Sequence, residues 1–359
     1  MSTSTRSAPQ VAPDAGGPVP RRAHLPRWAP LGLYAAGVAV GALLSALTGF
    51  SIALTVLYGA VLGTIAVHVG SRVVEGRRKA TDRLVTALVT TAFAIAVLPL
   101  VSLIWTVLDN GLARLDGTFF SNSMFRVVGE GGGAYHAILG TLVITALATV
   151  ISVPVGLLTA IYLVEYGRGR LKKAITFFVD VMTGIPSIVA GLFAFALFTL
   201  LFGNDVRLGV MGAVALSVLM VPVVVRSSEE VLKLVPNELR EASYALGVPK
   251  WRTVVKVVVP TAVAGLGTGV TLAVARVIGE TAPLLVTVGL ITGTNLNPFD
   301  GRMATLPVFA FYQLTQPGAR PEPALDRAWT AALVLIVLVM VLNVVARLIS
   351  RLFAPKTGR

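Results

Sequence analysis

Eight long apolar runs alternate with short polar segments, at roughly 31–49, 51–70, 84–108, 136–163, 174–202, 208–226, 258–290 and 329–350. Each is long enough to cross about 30 Å of hydrocarbon at 1.5 Å of helical rise per residue. A helix that is apolar on every side has no solvated face, so lipid is its natural solvent. The expected fold is all-α, a polytopic membrane protein of about eight transmembrane helices. The first two runs hold no proline and no Asp, Glu, Lys or Arg, and a very short turn at Gly49-Phe50-Ser51 joins them. The other six carry all the intramembrane irregularities. The chain is therefore expected to divide into a disordered tail (1–27), an accessory transmembrane hairpin with its cytoplasmic loop (28–83), and a six-helix working domain (84–359). The working domain includes one long polar segment, 227–260.

Composition agrees with this picture. The chain is 55% hydrophobic and 13% charged, more apolar surface than a soluble domain can bury. Cysteine is absent, which removes disulfides, thiol catalysis and Cys-based metal sites. His24, His68 and His136 are scattered, so no metal site is expected. The net charge of +13 raises the question of nucleic acid, but the basic residues sit in short loops between apolar runs. Assigned alternately to two sides, about 23 of the 30 Lys and Arg fall with both termini and about six fall opposite. The preference of basic loops for the cytoplasm then places both termini inside. The tail does not read as a signal peptide, because a second long apolar run answers the first at once. No nucleic acid is expected as a partner; membrane lipid is.

The polar segment contains Glu241-Ala242-Ser243, then Gly247, then Val257-x-Val259-Pro260. Asn237 is expected to cap a short helix whose positive end suits Glu238 and Glu241. Gly247 can end it in the left-handed conformation, and Pro249 can open the next helix, which enters the membrane from Pro260. Leu239, Ala242 and Leu246 share one face. A short exposed helix with a small apolar knob and flanking charge suits a groove on a soluble partner.

Three ionisable residues fall within expected spans: Asp180, Arg276 and Glu280. Such residues persist where they pair, face water or meet a ligand. Arg276 and Glu280 are four apart and are expected to share a helix face, with Arg276 roughly 24 Å along from Pro260. Gly184 and Pro186, before Ser187, interrupt the fifth run; Gly279 and Pro283, around Glu280 and Thr281, interrupt the seventh. Paired interruptions at membrane depth border protein or a water-filled cavity and mark substrate routes. Arg276 can offer two parallel hydrogen bonds to a tetrahedral oxyanion. Glu280 would repel a fully deprotonated anion but accept a hydrogen bond from a protonated one, which favours phosphate over sulfate. Pro154 and Pro222 are expected only to kink the fourth and sixth helices.

The Glu-Ala-Ser, Gly and Val-x-Val-Pro spacing resembles the EAA loop of binding-protein-dependent ABC importers, with Ser243 in place of a second Ala. Further stretches resemble the A-type permease subunit (PstA-like) of the Pst phosphate importers. They are Gly131-Gly132-Gly133-x-x-His136-Ala137-x-x-Gly140-Thr141, Gly184-Ile185-Pro186-Ser187-Ile188-Val189-x-Gly191-Leu192, and Ala275-Arg276-x-Ile278-Gly279-Glu280-Thr281-Ala282-Pro283-Leu284. The resemblance covers roughly 84–359 and implies a type I ABC importer. It implies as partners a homologous second permease (PstC-like), two copies of a cytoplasmic ATPase (PstB-like) and an external phosphate-binding protein (PstS-like). Leu239, Glu241, Ala242, Ser243, Leu246 and Gly247 would then couple to the ATPase. Arg276, Glu280, Thr281 and Ser187 would line the phosphate path. The chain has no Walker-type phosphate loop, so ATP is expected on the partner subunits and no cofactor on this chain. The proline-rich stretch 291–328 is expected to be a long external loop, a docking surface for the binding protein.

Two other classes are weighed. An ion-coupled secondary transporter would use Asp180, Arg276 and Glu280 as a relay and need no ATPase. A membrane enzyme would need a catalytic set, and no HExxH, GxSxG or carboxylate cluster is present. Within the ABC class the alternative is a permease for another oxyanion or small solute. No catalytic residue is assigned.

Overall fold

The computed structural model describes residues 24–353 apart from 27, 48, 50 and 319. The expected tail lies almost wholly outside these residues, as does Phe50 of the first turn. Among the described residues every regular element is helical. The chain forms two compact units, Met1–Ser102 and Leu103–Arg359, whose division falls inside one long helix.

The first unit holds α1 (Ala29–Leu47), α2 (Ile52–Val74) and the beginning of α3 (Arg77–Gly111). α1 and α2 pack through small residues four apart. A Cβ built on Gly37 would lie 2.6 Å from the backbone nitrogen of Gly63, and one on Gly41 would lie 2.7 Å from that of Gly59. Only glycine permits this approach, which maximises dispersion where lipid gives no hydrophobic drive between helices. Tyr34 and Thr64 hydroxyls bond across the pair at 3.1 Å, and Ser45 and Thr55 at 2.7 Å. The turn into α3 is fastened by buried Glu75, which accepts from Leu25 N (3.0 Å), Ser71 Oγ (2.7 Å) and Arg83 (2.9 Å). Burial alone would raise its carboxyl, but those donors outweigh it and hold the group below the usual carboxylate range.

The second unit begins within α3. It contains α4 (Gly117–Ser121), α5 (Tyr135–Ile161), α6 (Gly169–Thr183), α7 (Ser187–Phe202) and α8 (Gly209–Lys233). It continues with α9 (Asn237–Ala245), α10 (Lys250–Thr253), α11 (Val259–Val277), α12 (Ala282–Thr287), α13 (Leu306–Thr315) and α14 (Pro321–Phe353). π-helical turns follow α5 at Tyr162–Tyr166 and precede α11 at Val254–Val258. The main core gathers Ile144 and Ala148 of α5, Ala190 of α7, Leu216 and Met220 of α8, Ala273 and Val277 of α11 and Leu284 of α12.

Among the described residues seven helices are long and apolar enough to span, and the bent pair α6–α7 makes up to eight. The fifth expected span, 174–202, is not straight: its halves meet at 108°. Pro186 removes a backbone donor and fixes φ at −58°, so the ladder of α6 cannot continue into α7. The seventh expected span, 258–290, is also two pieces, α11 and α12, parted by the turn 278–281.

The stretch 291–328 is not simply a loop. α13 lies within it, and α14 begins at Pro321, ahead of the expected 329. Pro307, Pro321 and Pro323 sit in first helical turns, where a missing N–H costs nothing. As the sequence predicts, Pro249 opens the helix that carries Pro260. The helical run is continuous from Lys250, and the π turn just before Val259 widens the ladder where Pro260 withholds its donor.

Candidate functional site

The polar segment 227–260 takes its shape from local chemistry. α9 ends in a Schellman arrangement: Gly247 has φ of 72°, its N–H reaches Tyr244 O at 2.9 Å, and Val248 N–H reaches Ser243 O at 3.2 Å. Pro249 then precedes the first residue of α10. The helix starts one residue earlier than expected. Pro236 holds the cap position without a side-chain bond, and Asn237 is the first helical residue. Its Oδ1 accepts instead from Arg240 Nη1 at 3.2 Å.

The outer face of α9 is open. Glu241, Ala242 and Leu239 are exposed, and Leu246 at 83% exposure is the most prominent. Ser243 faces inward, and its hydroxyl bonds Thr253 Oγ1 at 2.8 Å, tying α9 to α10. The serine that replaces alanine here is an internal strut, not part of the exposed knob.

Beneath α9 lies an anchor that sequence reading passed over. Arg240 donates from Nε and Nη2 to Glu165 Oε1, at 3.0 and 2.8 Å. It also donates to the carbonyls of Leu232 (3.1 Å) and Val235 (2.6 Å). Lys250 donates to the backbone carbonyl of Glu165. Glu165 stands in the π turn at the end of α5 with its side chain 4% exposed. Glu165 thus ties the end of α5 to α9 through its carboxylate and to α10 through its backbone carbonyl. A Glu directly after a long apolar run was the available signal, but its partner lies 75 residues away.

The two interrupted helices meet. Gly184 and Pro186 occupy the turn between α6 and α7, and half-buried Ser187 opens α7. One turn on, a Cβ built on Gly191 would lie 2.6 Å from Cα of Pro283, in the first turn of α12. Gly279 lies in the turn between α11 and α12, and Thr281 at the start of α12. Arg276, in the last turn of α11, is exposed, and Glu280 is half-buried. The expected helix-face pair does not form. α11 stops at Val277, the Glu280 N–H turns back to Val277 O at 3.1 Å, and among the described residues neither side chain enters an ion pair. Thr281 borders an apolar hollow of about 440 Å³ with Leu285, Pro307, Phe311 and Trp329.

Asp180 does not join Arg276 or Glu280. It is bound by Arg226 of α8, which also holds Glu229 at 2.8 Å, while Lys233 closes on Glu229 at 2.8 Å. These four charges fasten α6 to α8, and the geometry of a three-member relay is absent.

The glycine-rich stretch before α5 is held by arginines. Arg327 donates to the carbonyls of Gly129 (2.7 Å) and Gly131 (3.0 Å), and Arg114 to that of Gly132 (3.0 Å). Gly129, Gly131 and Gly132 all have positive φ.

Residues 152–359 match the family of binding-protein-dependent transport system inner membrane components. The phosphate transport system permease protein PstA 1 of Mycobacterium tuberculosis is 47% identical over 276 residues, covering 76% of this chain and 90% of that protein. The permease protein PstA of Mycobacterium leprae is 46% identical over 277 residues, covering 76% and 89%. That of Yersinia pestis is 38% identical over 258 residues, covering 71% and 84%. The chain belongs to the PstA family of these permeases. In fold it is similar to a chain of a bacterial alginate ABC transporter crystallised with an alginate pentasaccharide-bound periplasmic protein. The TM-score is 0.54 at 15% identity, over 78% of this chain and 97% of that one. For a PstA-family permease, the EAA-like segment is the exposed α9, and the break flanked by Arg276 and Glu280 is packed against the break flanked by Ser187.

Proposed function

We propose that this multi-pass membrane protein forms one half of the translocation path of an ATP-driven importer of inorganic phosphate. Its kinship with PstA permeases at up to 47% identity carries the substrate. The second half of the path would come from a homologous PstC-like permease. ATP would be hydrolysed by two PstB-like subunits pressed against α9, and a PstS-like protein would deliver phosphate from outside. In this reading both termini lie in the cytoplasm, which the bias of Lys and Arg among the loops supports. This chain carries neither ATP nor a cofactor.

Within the path, Arg276 is the phosphate-contacting cation. Its exposure and its lack of an ion pair among the described residues support that role, because an uncompensated guanidinium at membrane depth needs water or an anion. Glu280, Thr281 and Ser187 stand at the paired breaks, with Glu280 selecting a protonated anion. Labelled phosphate and sulfate uptake in cells lacking the gene tests this. Arg276→Ala is expected to lower phosphate uptake about tenfold or more while the ATPase still copurifies, the loss of charge-assisted hydrogen bonds. Glu280→Gln is expected to narrow the preference for phosphate. Unchanged uptake in the first variant would make Arg276 a packing residue, and an unchanged preference in the second would remove the role of Glu280.

A further inference from the structure

The first unit contains a hollow of about 1040 Å³ that the transport reading does not use. Its walls are Pro30 and Tyr34 of α1, Val56, Leu57, Ala60 and Val67 of α2, and α3 from Arg83 to Leu98. Along α3 that is a run of roughly 22 Å at helical rise, most of one apolar membrane thickness. Apart from Arg83 and the hydroxyls of Tyr34, Thr86, Thr90 and Thr91, its walls are aliphatic. All three helices are of membrane-spanning length and hydropathy, so the hollow lies at lipid depth.

Its two ends differ in charge. At the end where α2 turns into α3 stand Arg72, Arg77, Arg78, Lys79 and Arg83. The acids there are Glu75 and Asp82. Glu75 is buried and already consumed by Leu25, Ser71 and Arg83. Arg72, Arg77 and Arg78 are exposed and enter no ion pair among the described residues; exposed Lys79 bonds the imidazole of His24, at 2.5 Å, and lies within Coulombic reach of Glu75. Near the other end, Val56, Leu57 and Leu98 carry no charge. Of the cations only Arg83 lines the hollow itself, and Arg77, Arg78 and Lys79 lie one to two helical turns beyond it on α3. An apolar slot with cations beyond one end matches one class of membrane constituent, an anionic phospholipid. Its acyl chains lie between hydrocarbon walls, and its phosphate meets guanidinium and ammonium groups at the interface.

We propose that the N-terminal hairpin and α3 form a binding site for an anionic phospholipid, with acyl chains in the hollow and headgroup on Arg77, Arg78 and Lys79. A neutral helix from another protein would fill the slot equally well but would leave the cations unmatched, so the charge selects lipid as the occupant. The site is independent of the phosphate path.

The test uses the full-length chain, purified and returned to nanodiscs of phosphatidylcholine and phosphatidylglycerol in equal parts. Lipid that stays bound through re-extraction in detergent is then identified by mass spectrometry. The wild type is expected to retain phosphatidylglycerol in clear excess over phosphatidylcholine. Arg77→Gln, Arg78→Gln and Lys79→Gln together are expected to reduce that excess roughly tenfold or more, given the contribution of each interfacial cation. Ala94→Trp, which fills the slot and leaves the cations intact, is expected to lower retention of both lipids. Because the sequence has no cysteine, Ala87→Cys can carry a single photo-crosslinker, expected to label lipid. Retention in the bilayer ratio, an excess unaffected by the Gln substitutions, or a crosslink chiefly to another polypeptide would overturn the proposal.

Discussion

Arg240 is the residue that anchors α9. A fork that bonds one carboxylate and two carbonyls fixes the guanidinium in plane and position, which Lys could not reproduce. Removing it leaves Glu165 buried without its cationic partner, a change that costs about 3 kcal/mol or more. Arg240→Ala is therefore expected to weaken thermal stability of the purified complex and to lower phosphate transported per ATP hydrolysed. Transport and hydrolysis measured together separate this from simple unfolding, which would lower both in proportion. The shape of α9 and its end at Gly247 were legible from spacing, and the exposure of Leu246 from its helix face, because both are set within one or two helical turns. Glu165 was not, because its meaning depends on a residue of α9, beyond α6, α7 and α8. Ser243 was legible as a departure from the motif, but its hydroxyl bond to Thr253 was not.

At the scale of elements, the breaks matter more than the spans. Run length and the position of Gly and Pro told where helices exist and where they falter, because backbone donors and φ are local properties. They did not tell what tertiary packing does with a freed segment. The 108° bend before α7 and the turn 278–281 bring Gly191 onto Pro283, and no local signal encodes that meeting. Gly191→Leu should force α7 and α12 apart and abolish phosphate uptake while the protein remains in the membrane. Uptake near the wild-type level would show that the contact is dispensable. The proline-rich stretch 291–328 misled in the opposite sense, since three of its prolines open helices.

The Glu75 clamp at the start of α3 gives a further prediction at this scale. Its folded carboxyl titrates below the ordinary value, so the clamp contributes fully above the unfolded carboxylate range. Its contribution is lost as pH falls from that range through the lower folded value. Protease sensitivity of the turn 75–76 should rise over that acidic window in the wild type and be pH-independent in Glu75→Gln. A wild type with no such rise would contradict the clamp.

At the scale of the whole molecule, a set of apolar spans carries one exposed, anchored helix, α9. Eight apolar runs and their basic loops gave the membrane fold, and kinship with PstA permeases gives its place within it. Under the proposed function the driving force comes from a separate ATPase, and the exposed Leu246 at the end of anchored α9 is its proposed point of entry. The most direct test is ATP-driven phosphate uptake into vesicles holding the assembled transporter, wild type against Leu246→Glu, with ATPase copurification measured in both. The account predicts that the variant inserts normally but loses the ATPase and about tenfold or more of its uptake, as removal of a central interface anchor does. Undiminished uptake with the ATPase still bound would contradict it.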